Sequence, residues 1–160
     1  MPNVLIVYHS RTGNTAKMAE AIANGAKTAG ADVSLKETKD ATLEDLTGAD
    51  GIVFGAPTYF GTPSGELKSF IDTTVKVRGK LEGKVGAAFT SSGSISGGNE
   101  TTLLSIIQAM LIHGMIILGD PIEAGGHYGA VAIGAPDKAA LDACSKLGAR
   151  VAEVTKTLIS

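Results

Sequence analysis

Two hydrophobic patterns alternate along the chain. Residues 4–8 form a short apolar run rich in β-branched side chains, which is typical of a strand buried on both faces of a sheet. Between Asn14 and Gly30 the apolar residues recur every three or four positions, which predicts a helix with one buried face. The rest of the chain repeats this alternation, which predicts strands at 31–37, 51–54, 85–89 and 115–118 and helices at 42–46, 64–72, 100–112 and 137–158.

The alternation of five strands with about five helices predicts the architecture. Consecutive parallel strands need a crossover connection, and such crossovers are almost always right-handed. We therefore expect an α/β fold: a doubly wound, five-stranded parallel sheet with helices on both faces. Because neither a linker nor an internal repeat interrupts the pattern, residues 1–160 are predicted to form a single domain.

Composition and charge exclude several classes of protein. Of the 160 residues, 44% are hydrophobic and 19% are charged, which supports a proper core and excludes a disordered chain. A formal net charge of −2 without any basic run argues against a nucleic-acid partner. The longest apolar stretch, at 110–118, is interrupted by His113 and Gly114 and is too short for a membrane span.

The chain ends and the cysteine count bear on location and metal content. The first residues lack the basic region and cleavage site of a signal peptide, so we expect a cytoplasmic protein. The single cysteine permits no internal disulfide, and no Cys or His pair has the spacing of a zinc site. The sequence therefore predicts no bound metal.

Ligands of an open parallel sheet bind beyond the carboxyl ends of its strands. In this chain, three loops at that predicted edge carry the candidate ligand-binding residues. Hydroxyls and backbone N–H groups at a helix N-terminus are suited to a phosphate. Since the first loop has neither a P-loop lysine nor a Gly-x-Gly-x-x-Gly motif, a terminal monophosphate is favoured. Helix capping alone is the alternative interpretation. The residues of this phosphate loop are Ser10, Arg11, Thr12, Gly13, Asn14 and Thr15.

The second loop follows the strand at 51–54 and holds two adjacent aromatic residues between prolines. Prolines stiffen the backbone and favour extended geometry before them, so the loop makes a firm platform for a flat apolar ring. Ordinary packing of the aromatic rings over the core is the alternative. The residues of this aromatic loop are Pro57, Thr58, Tyr59, Phe60 and Gly61.

The third loop follows the strand at 85–89 and is rich in glycine and serine. It is too long for a simple connection, and it offers backbone amides and hydroxyls to the polar edge of a heterocycle. A flexible solvated loop is the alternative. The residues of this serine loop are Ser91, Ser92, Gly93, Ser94, Ile95, Ser96 and Gly97.

These loops carry a resemblance to known proteins. The phosphate loop resembles that of the flavodoxins, which hold FMN. The aromatic loop, the serine loop and the segment His113-Gly114-Met115 together are similar to the WrbA family of flavodoxin-like NAD(P)H:quinone oxidoreductases. The resemblance covers nearly the whole chain and implies a flavodoxin-like sheet of order 2-1-3-4-5 with non-covalent FMN in the three loops.

The resemblance also implies roles for two histidines and for the substrates. His113 matches the flavin-site histidine of that family and is the predicted catalytic residue. His127 lies in a glycine-rich loop and is predicted to reach the flavin or the substrate, with a surface histidine as the alternative. NAD(P)H is the implied co-substrate, a quinone is the implied acceptor, and a homo-oligomer is the implied assembly.

The chain departs from that family in ways that keep a second function open. Tyr59 stands where an arginine is usual, no tryptophan is present, and the longer insertions are missing. The first hypothesis is an enzyme in which FMN takes electrons from NAD(P)H and reduces a quinone. The second is a flavodoxin-type carrier that passes electrons between protein partners. Carrier flavodoxins are strongly acidic, and a net charge of −2 favours the enzyme.

Overall fold

The computed structural model describes residues 1–160, which form one sheet, parallel except for one short strand, covered by helices on both faces. The central strand order is β2-β1-β3-β5-β6, with β7 also paired to β5 and β4 paired to β3. The strands are β1 (Asn3–Tyr8), β2 (Asp32–Glu37), β3 (Gly51–Tyr59), β4 (Thr62–Pro63), β5 (Val85–Ser92), β6 (Ile116–Ile117) and β7 (Ala130–Ile133). The helices are α1 (Asn14–Thr28), α2 (Leu43–Gly48), α3 (Gly65–Thr73), α4 (Asn99–Ile112) and α5 (Lys138–Ile159), and short 3-10 turns span Thr74–Val77 and Ile122–Ala124.

Alternate residues of β1 point into two separate cores. Val4 and Ile6 pack with α1 and α5 on one face of the sheet, whereas Leu5 and Val7 belong to the core of the other face. All four side chains are at most 1% exposed. A strand buried on both faces has no reason to alternate polar with apolar residues, which explains the unbroken apolar run. The predicted double-sided α/β fold is confirmed.

The register of the central strands brings the candidate loops to one edge. β1 pairs with β3 up to Tyr8 and Gly55, and β3 pairs with β5 up to Pro57 and Ser91. All three strands are parallel, so their carboxyl ends lie side by side. β3 continues to Tyr59 and turns back into β4, which places the aromatic loop above the end of β1.

The fifth position of the sheet differs from the sequence prediction. A single strand was expected at 115–118, but two short strands share that position. β6 pairs with the start of β5 at Val85 and Gly86, and β7 pairs with its end from Phe89 to Ser92. The intervening chain leaves the sheet at Leu118 and returns at Ala130, so this edge of the sheet is open between the two strands.

None of the helices is both long enough and apolar enough to cross a lipid bilayer. The longest, α5, is amphipathic and packs against α1 across one face of the sheet. Gly25 on α1 faces the backbone of Ser145, and Gly148 on α5 faces the backbone of Ile22. A side chain at either glycine would meet main-chain atoms, so the two helices approach as closely as their backbones permit.

Candidate functional site

Three loops meet at the carboxyl edge of the sheet, and hydrogen bonds between their hydroxyls hold them together. Thr15 Oγ1 lies 2.8 Å from Ser91 Oγ, which links the phosphate loop to the serine loop. Thr58 Oγ1 lies 2.8 Å from Thr90 Oγ1, and the Thr90 hydroxyl also donates to the Ala56 carbonyl at 2.7 Å. The predicted residues of the three loops are therefore brought together.

The phosphate loop is held open by one serine and one glycine. Ser10 Oγ accepts hydrogen bonds from the N–H groups of Gly13 and Ala16, each at 3.2 Å. Gly13 has a φ of 97°, a left-handed conformation that a side chain disfavours, and it starts α1 without a side-chain cap. The N–H groups of Asn14 and Thr15 have no acceptor within the protein. Two free donors at a helix N-terminus form a natural site for an anion.

The aromatic loop presents a ring to solvent in a strained conformation. Phe60 and Gly61 connect β3 to β4 with φ values of 51° and 77°, the positive pair of a type I′ hairpin turn. A non-glycine residue rarely adopts such a φ. The Phe60 side chain is fully exposed. A large aromatic ring without any packing partner, held out by a strained backbone, is suited to cover a flat ligand.

The serine loop begins within β5 and forms a tight turn after it. Ser92 Oγ donates to the Ser94 carbonyl at 2.9 Å, and the Gly97 N–H donates to the same carbonyl at 3.2 Å. Ser96 has a φ of 46°, so this tight loop also contains a strained non-glycine residue. At Gly98, the residue after the serine loop, an added Cβ would lie 2.5 Å from Gly61 Cα, which shows how closely the chain there approaches the aromatic loop.

A carboxylate that the sequence interpretation missed lies beside the phosphate loop. Glu66 Oε2 is 3.6 Å from His9 Nε2, and Glu66 Oε1 is 3.6 Å from Arg11 Nη2. The Arg11 guanidinium also lies 4.5 Å from the centre of the Tyr59 ring. The backbone N–H of Glu66 itself, and then the charges of His9 and Arg11, lower the pKa of Glu66. The signal that could have found it is an acidic residue in the first turn of a helix that starts at the aromatic loop.

The structure places His113 apart from the three loops to which the prediction assigned it. α4 starts at Asn99, directly after the serine loop, and runs away from it for 14 residues, or about 20 Å at 1.5 Å per residue. The carbonyl of Gly114 accepts from the N–H of Gly83, in the turn before β5. His113 therefore lies at the opposite edge of the sheet, where its Nε2 is 2.7 Å from Thr74 Oγ1.

His127, which was predicted to reach the flavin or the substrate, also lies outside the three loops. It lies in the segment between β6 and β7, with its side chain 70% exposed and its Nδ1 3.5 Å from Asp120 Oδ2. Its backbone N–H donates to Asp120 Oδ1 at 2.7 Å. The ring lines a cavity along β7 rather than the three loops. That cavity is nevertheless adjacent to the serine loop, since Ser92 pairs with Ile133 of β7.

Comparisons with known proteins found similar sequences and structures over most of the chain. A family model described as "NADPH-dependent FMN reductase" matches residues 37–128. An "NAD(P)H dehydrogenase (quinone)" of Archaeoglobus fulgidus is 40% identical, over 99% of this chain and 100% of that protein. A "Flavodoxin" of Aquifex aeolicus is 41% identical, over 96% of this chain and 86% of that protein. The crystal structure of a WrbA-like flavodoxin from Agrobacterium tumefaciens superposes with a TM-score of 0.83 at 32% identity, over 98% of this chain and 99% of that one.

Proposed function

The chain belongs to the flavodoxin-like NADPH-dependent FMN reductase family, and from this membership we propose that it is an FMN-dependent NAD(P)H:quinone oxidoreductase. The observation that carries the proposal within the structure is the meeting of three loops with complementary chemistry at one sheet edge. One loop has donors for a phosphate, one has aromatic rings, and one has polar amides. FMN has a phosphate for the first loop, a flat ring face for the second and a polar ring edge for the third.

The phosphate loop has room and donors for a single phosphate. The free N–H groups of Asn14 and Thr15 lie at the positive end of α1, and the exposed Thr12 hydroxyl is next to them in the chain. Glycine at position 13 keeps a side chain away from the space in front of the helix. These features support FMN, whose phosphate is terminal, over a dinucleotide flavin.

The other two loops fit the flavin ring system. Phe60 offers a whole exposed ring face, and Tyr59 lies directly before it with Arg11 over its ring. The serine loop offers backbone N–H groups and the hydroxyls of Ser94 and Ser96 to the polar edge of the ring system. When bound, FMN supplies the electron transfer between NAD(P)H and the acceptor, while the protein binds and orients both substrates beside it.

No histidine of the chain is placed in the loops themselves. His9 is closest in sequence, but its ring lies against Glu66 below the phosphate loop with no hydrogen bond to Nε2. We therefore propose that the protein contributes binding and orientation to quinone reduction and that protons for the reduced quinone come from solvent. In this proposal His113 has a structural role only.

An electron-carrier function is the second candidate, and one observation favours it. The relative named "Flavodoxin" aligns with this chain over 160 positions, whereas the "NAD(P)H dehydrogenase (quinone)" of Archaeoglobus fulgidus needs 190 positions to align with 160 residues. This chain therefore lacks about 30 positions that the quinone dehydrogenase relative has. The quinone dehydrogenase relative therefore has segments available for substrate contacts that this chain lacks.

Turnover without a partner protein distinguishes the two candidates. FMN-loaded protein is mixed anaerobically with NADPH or NADH and benzoquinone, and consumption of the nicotinamide is followed. The enzyme consumes one NAD(P)H per quinone at a rate that saturates with quinone and far exceeds that of free FMN. A carrier consumes NADPH only after a flavodoxin reductase is added, and that result would reject the enzyme.

A further inference from the structure

Arg11 belongs to the phosphate loop by sequence, but its side chain contacts two other elements of the sheet edge. Its Nη2 lies 3.6 Å from Glu66 Oε1, in the first turn of α3. Its guanidinium carbon lies over the ring of Tyr59, at the end of β3, 4.5 Å from the centre of the ring. The guanidinium is therefore held between a carboxylate and an aromatic face.

Glu66 is suited to hold the guanidinium in this place. The carboxylate accepts a hydrogen bond from its own backbone N–H, which is the first cause of its lowered pKa, so it is charged at neutral pH. Arg11 and Glu66 line one shallow groove together with a second cation, Lys39. Lys39 lies 3.3 Å from Glu37 instead. The carboxylate of Glu66 is therefore left to Arg11 and to the ring of His9.

Tyr59 gives the guanidinium a fixed surface. Its backbone pairs with Thr62 across the turn between β3 and β4, and Thr62 Oγ1 donates to the Tyr59 carbonyl at 3.1 Å. A planar guanidinium stacks on an aromatic face and is attracted by the electrons of the ring. With Arg11 over one face, Tyr59 has only its other face and its edge free for a ligand.

Two roles toward a bound flavin are open to such a guanidinium. It can leave Glu66 and pair with the phosphate, as arginine often does, or it can stay on Tyr59 and support the ring that meets the flavin. The contacts favour the second role, because a move to the phosphate would break the ion pair and uncover the ring together. The phosphate already has the free N–H groups of Asn14 and Thr15.

We propose that Arg11 acts on the flavin ring system through Tyr59, and that Glu66 is the positioning residue that keeps Arg11 there. The inference rests on the proposed FMN site, but it does not depend on NAD(P)H:quinone activity, since it concerns binding of the ring system. The side chains of Arg11 and Glu66 are 56% and 45% exposed, and an ion pair this exposed contributes little to folding stability. Its role is to fix the orientation in which Tyr59 meets a ligand.

Riboflavin tests this assignment, because it has the ring system of FMN without the phosphate. Its binding to cofactor-free protein is measured by quenching of flavin fluorescence. Arg11→Met and Glu66→Gln should each weaken riboflavin binding at least about threefold, which is the size of a cation–π contact at an exposed site. Neither substitution should move the midpoint of urea unfolding, because the ion pair is exposed.

Two further variants show whether the effect is specific to Tyr59. Glu100→Gln is the matched control, because Glu100 is exposed and also lies in the first turn of a helix that follows one of the three loops. It should change riboflavin affinity by less than about 1.5-fold. In a Tyr59→Leu background, Arg11→Met should cause no further loss of riboflavin affinity, because the ring through which Arg11 acts is gone.

Three outcomes would overturn the inference. Unchanged riboflavin affinity in both Arg11→Met and Glu66→Gln, with altered FMN affinity, would assign Arg11 to the phosphate. An equal loss in Glu66→Gln and Glu100→Gln would assign the effect to net charge. An undiminished effect of Arg11→Met in the Tyr59→Leu background would show that Arg11 contacts the flavin itself. Failure of quinone reduction in a protein that binds FMN would reject the proposed enzyme and leave this inference standing.

Discussion

The hydroxyl of Thr15 lies 2.8 Å from the hydroxyl of Ser91, although 76 positions separate the two residues in the chain. Thr15 is 1% exposed and Ser91 is 5% exposed. If one hydroxyl is removed, water therefore cannot easily reach the other to replace the lost hydrogen bond. This single contact joins the start of α1 to the end of β5. It couples the phosphate loop, where we propose that the FMN phosphate binds, to the serine loop, where we propose that the polar edge of the flavin ring binds.

Thr15→Val should therefore affect both stability and cofactor affinity. It leaves the buried Ser91 hydroxyl unpaired, and we expect the free energy of unfolding of the FMN-free protein to fall by about 1–3 kcal/mol. Thr12 is exposed, so Thr12→Val should leave that free energy unchanged. In the double variant, FMN binding should weaken by about 2–4 kcal/mol, because Thr12→Val removes a hydrogen bond to the phosphate and Thr15→Val removes the contact with Ser91 that holds the start of α1 in place. Urea unfolding and FMN titration of all three variants measure this, and unchanged FMN affinity in the double variant would place the phosphate elsewhere.

Gly98→Ala should separate the aromatic loop from the serine loop. The new Cβ would meet Gly61 Cα at 2.5 Å, and the φ of 97° at position 98 disfavours any side chain. We expect FMN affinity to fall at least about tenfold, as loop backbones must shift by several tenths of an ångström. Gly93→Ala is the matched control, because its Cβ would meet nothing within 4 Å. Equal effects of the two substitutions would contradict the close contact.

Phe60→Asn should weaken FMN binding while leaving the FMN-free protein at least as stable. The exposed ring stabilises nothing in the absence of ligand, and asparagine tolerates the left-handed conformation better than phenylalanine. Loss of the ring contact should cost about 1–3 kcal/mol of binding. Ile95→Asn, at another exposed apolar position next to the site, is the control and should cost less. A Phe60→Asn protein with lower stability before FMN is added would show that the ring packs on the protein instead.

His113→Gln should change stability but not the rate of quinone reduction. The Thr74 hydroxyl donates to the Ile71 carbonyl, so His113 Nε2 carries the hydrogen of the contact with Thr74. Burial, and then the charge of Arg78, lowers the pKa of His113 below 6.5. The unfolded chain then takes up the proton first as the pH falls, so the folded state loses stability between about pH 6.5 and the lowered pKa. Urea unfolding from pH 7.5 down to about pH 5 should show a smaller loss of stability in His113→Gln than in the unchanged protein. A slower rate of quinone reduction at unchanged stability would return His113 to the site.

The core of the fold could be predicted from the sequence because its signals are local. The apolar run at 4–8 indicates a buried strand and the helical spacing after Asn14 indicates an amphipathic helix, whereas the strand order was implied by the resemblance to the flavodoxins. The split of the fifth strand could not be predicted in this way. Ala130–Ile133 is a four-residue run flanked by glycines, and only its pairing with the end of β5 makes it a strand. Such pairing depends on contacts about 40 positions apart in the chain.

The meeting of the three loops could be predicted from the sequence, whereas the positions of His113 and His127 could not. Strand direction alone places the ends of β1, β3 and β5 at one edge, and the three loops follow from it. His113 was assigned by the similarity of a short segment, without following the helix that carries it. A helix that starts at the carboxyl edge of a parallel sheet ends at the amino edge, so the 14 residues of α4 place His113 at the edge opposite the three loops.

The most direct test of the account compares the binding of FMN, riboflavin and FAD to the cofactor-free protein by quenching of flavin fluorescence. If the free N–H groups of Asn14 and Thr15 bind the phosphate, FMN should bind at least about a hundredfold more tightly than riboflavin, since two hydrogen bonds to a charged group contribute about 3–6 kcal/mol. FAD should bind more weakly than FMN because the loop has donors for a single phosphate. Equal affinities for FMN and riboflavin, or a preference for FAD, would contradict the assignment of the three loops as an FMN site.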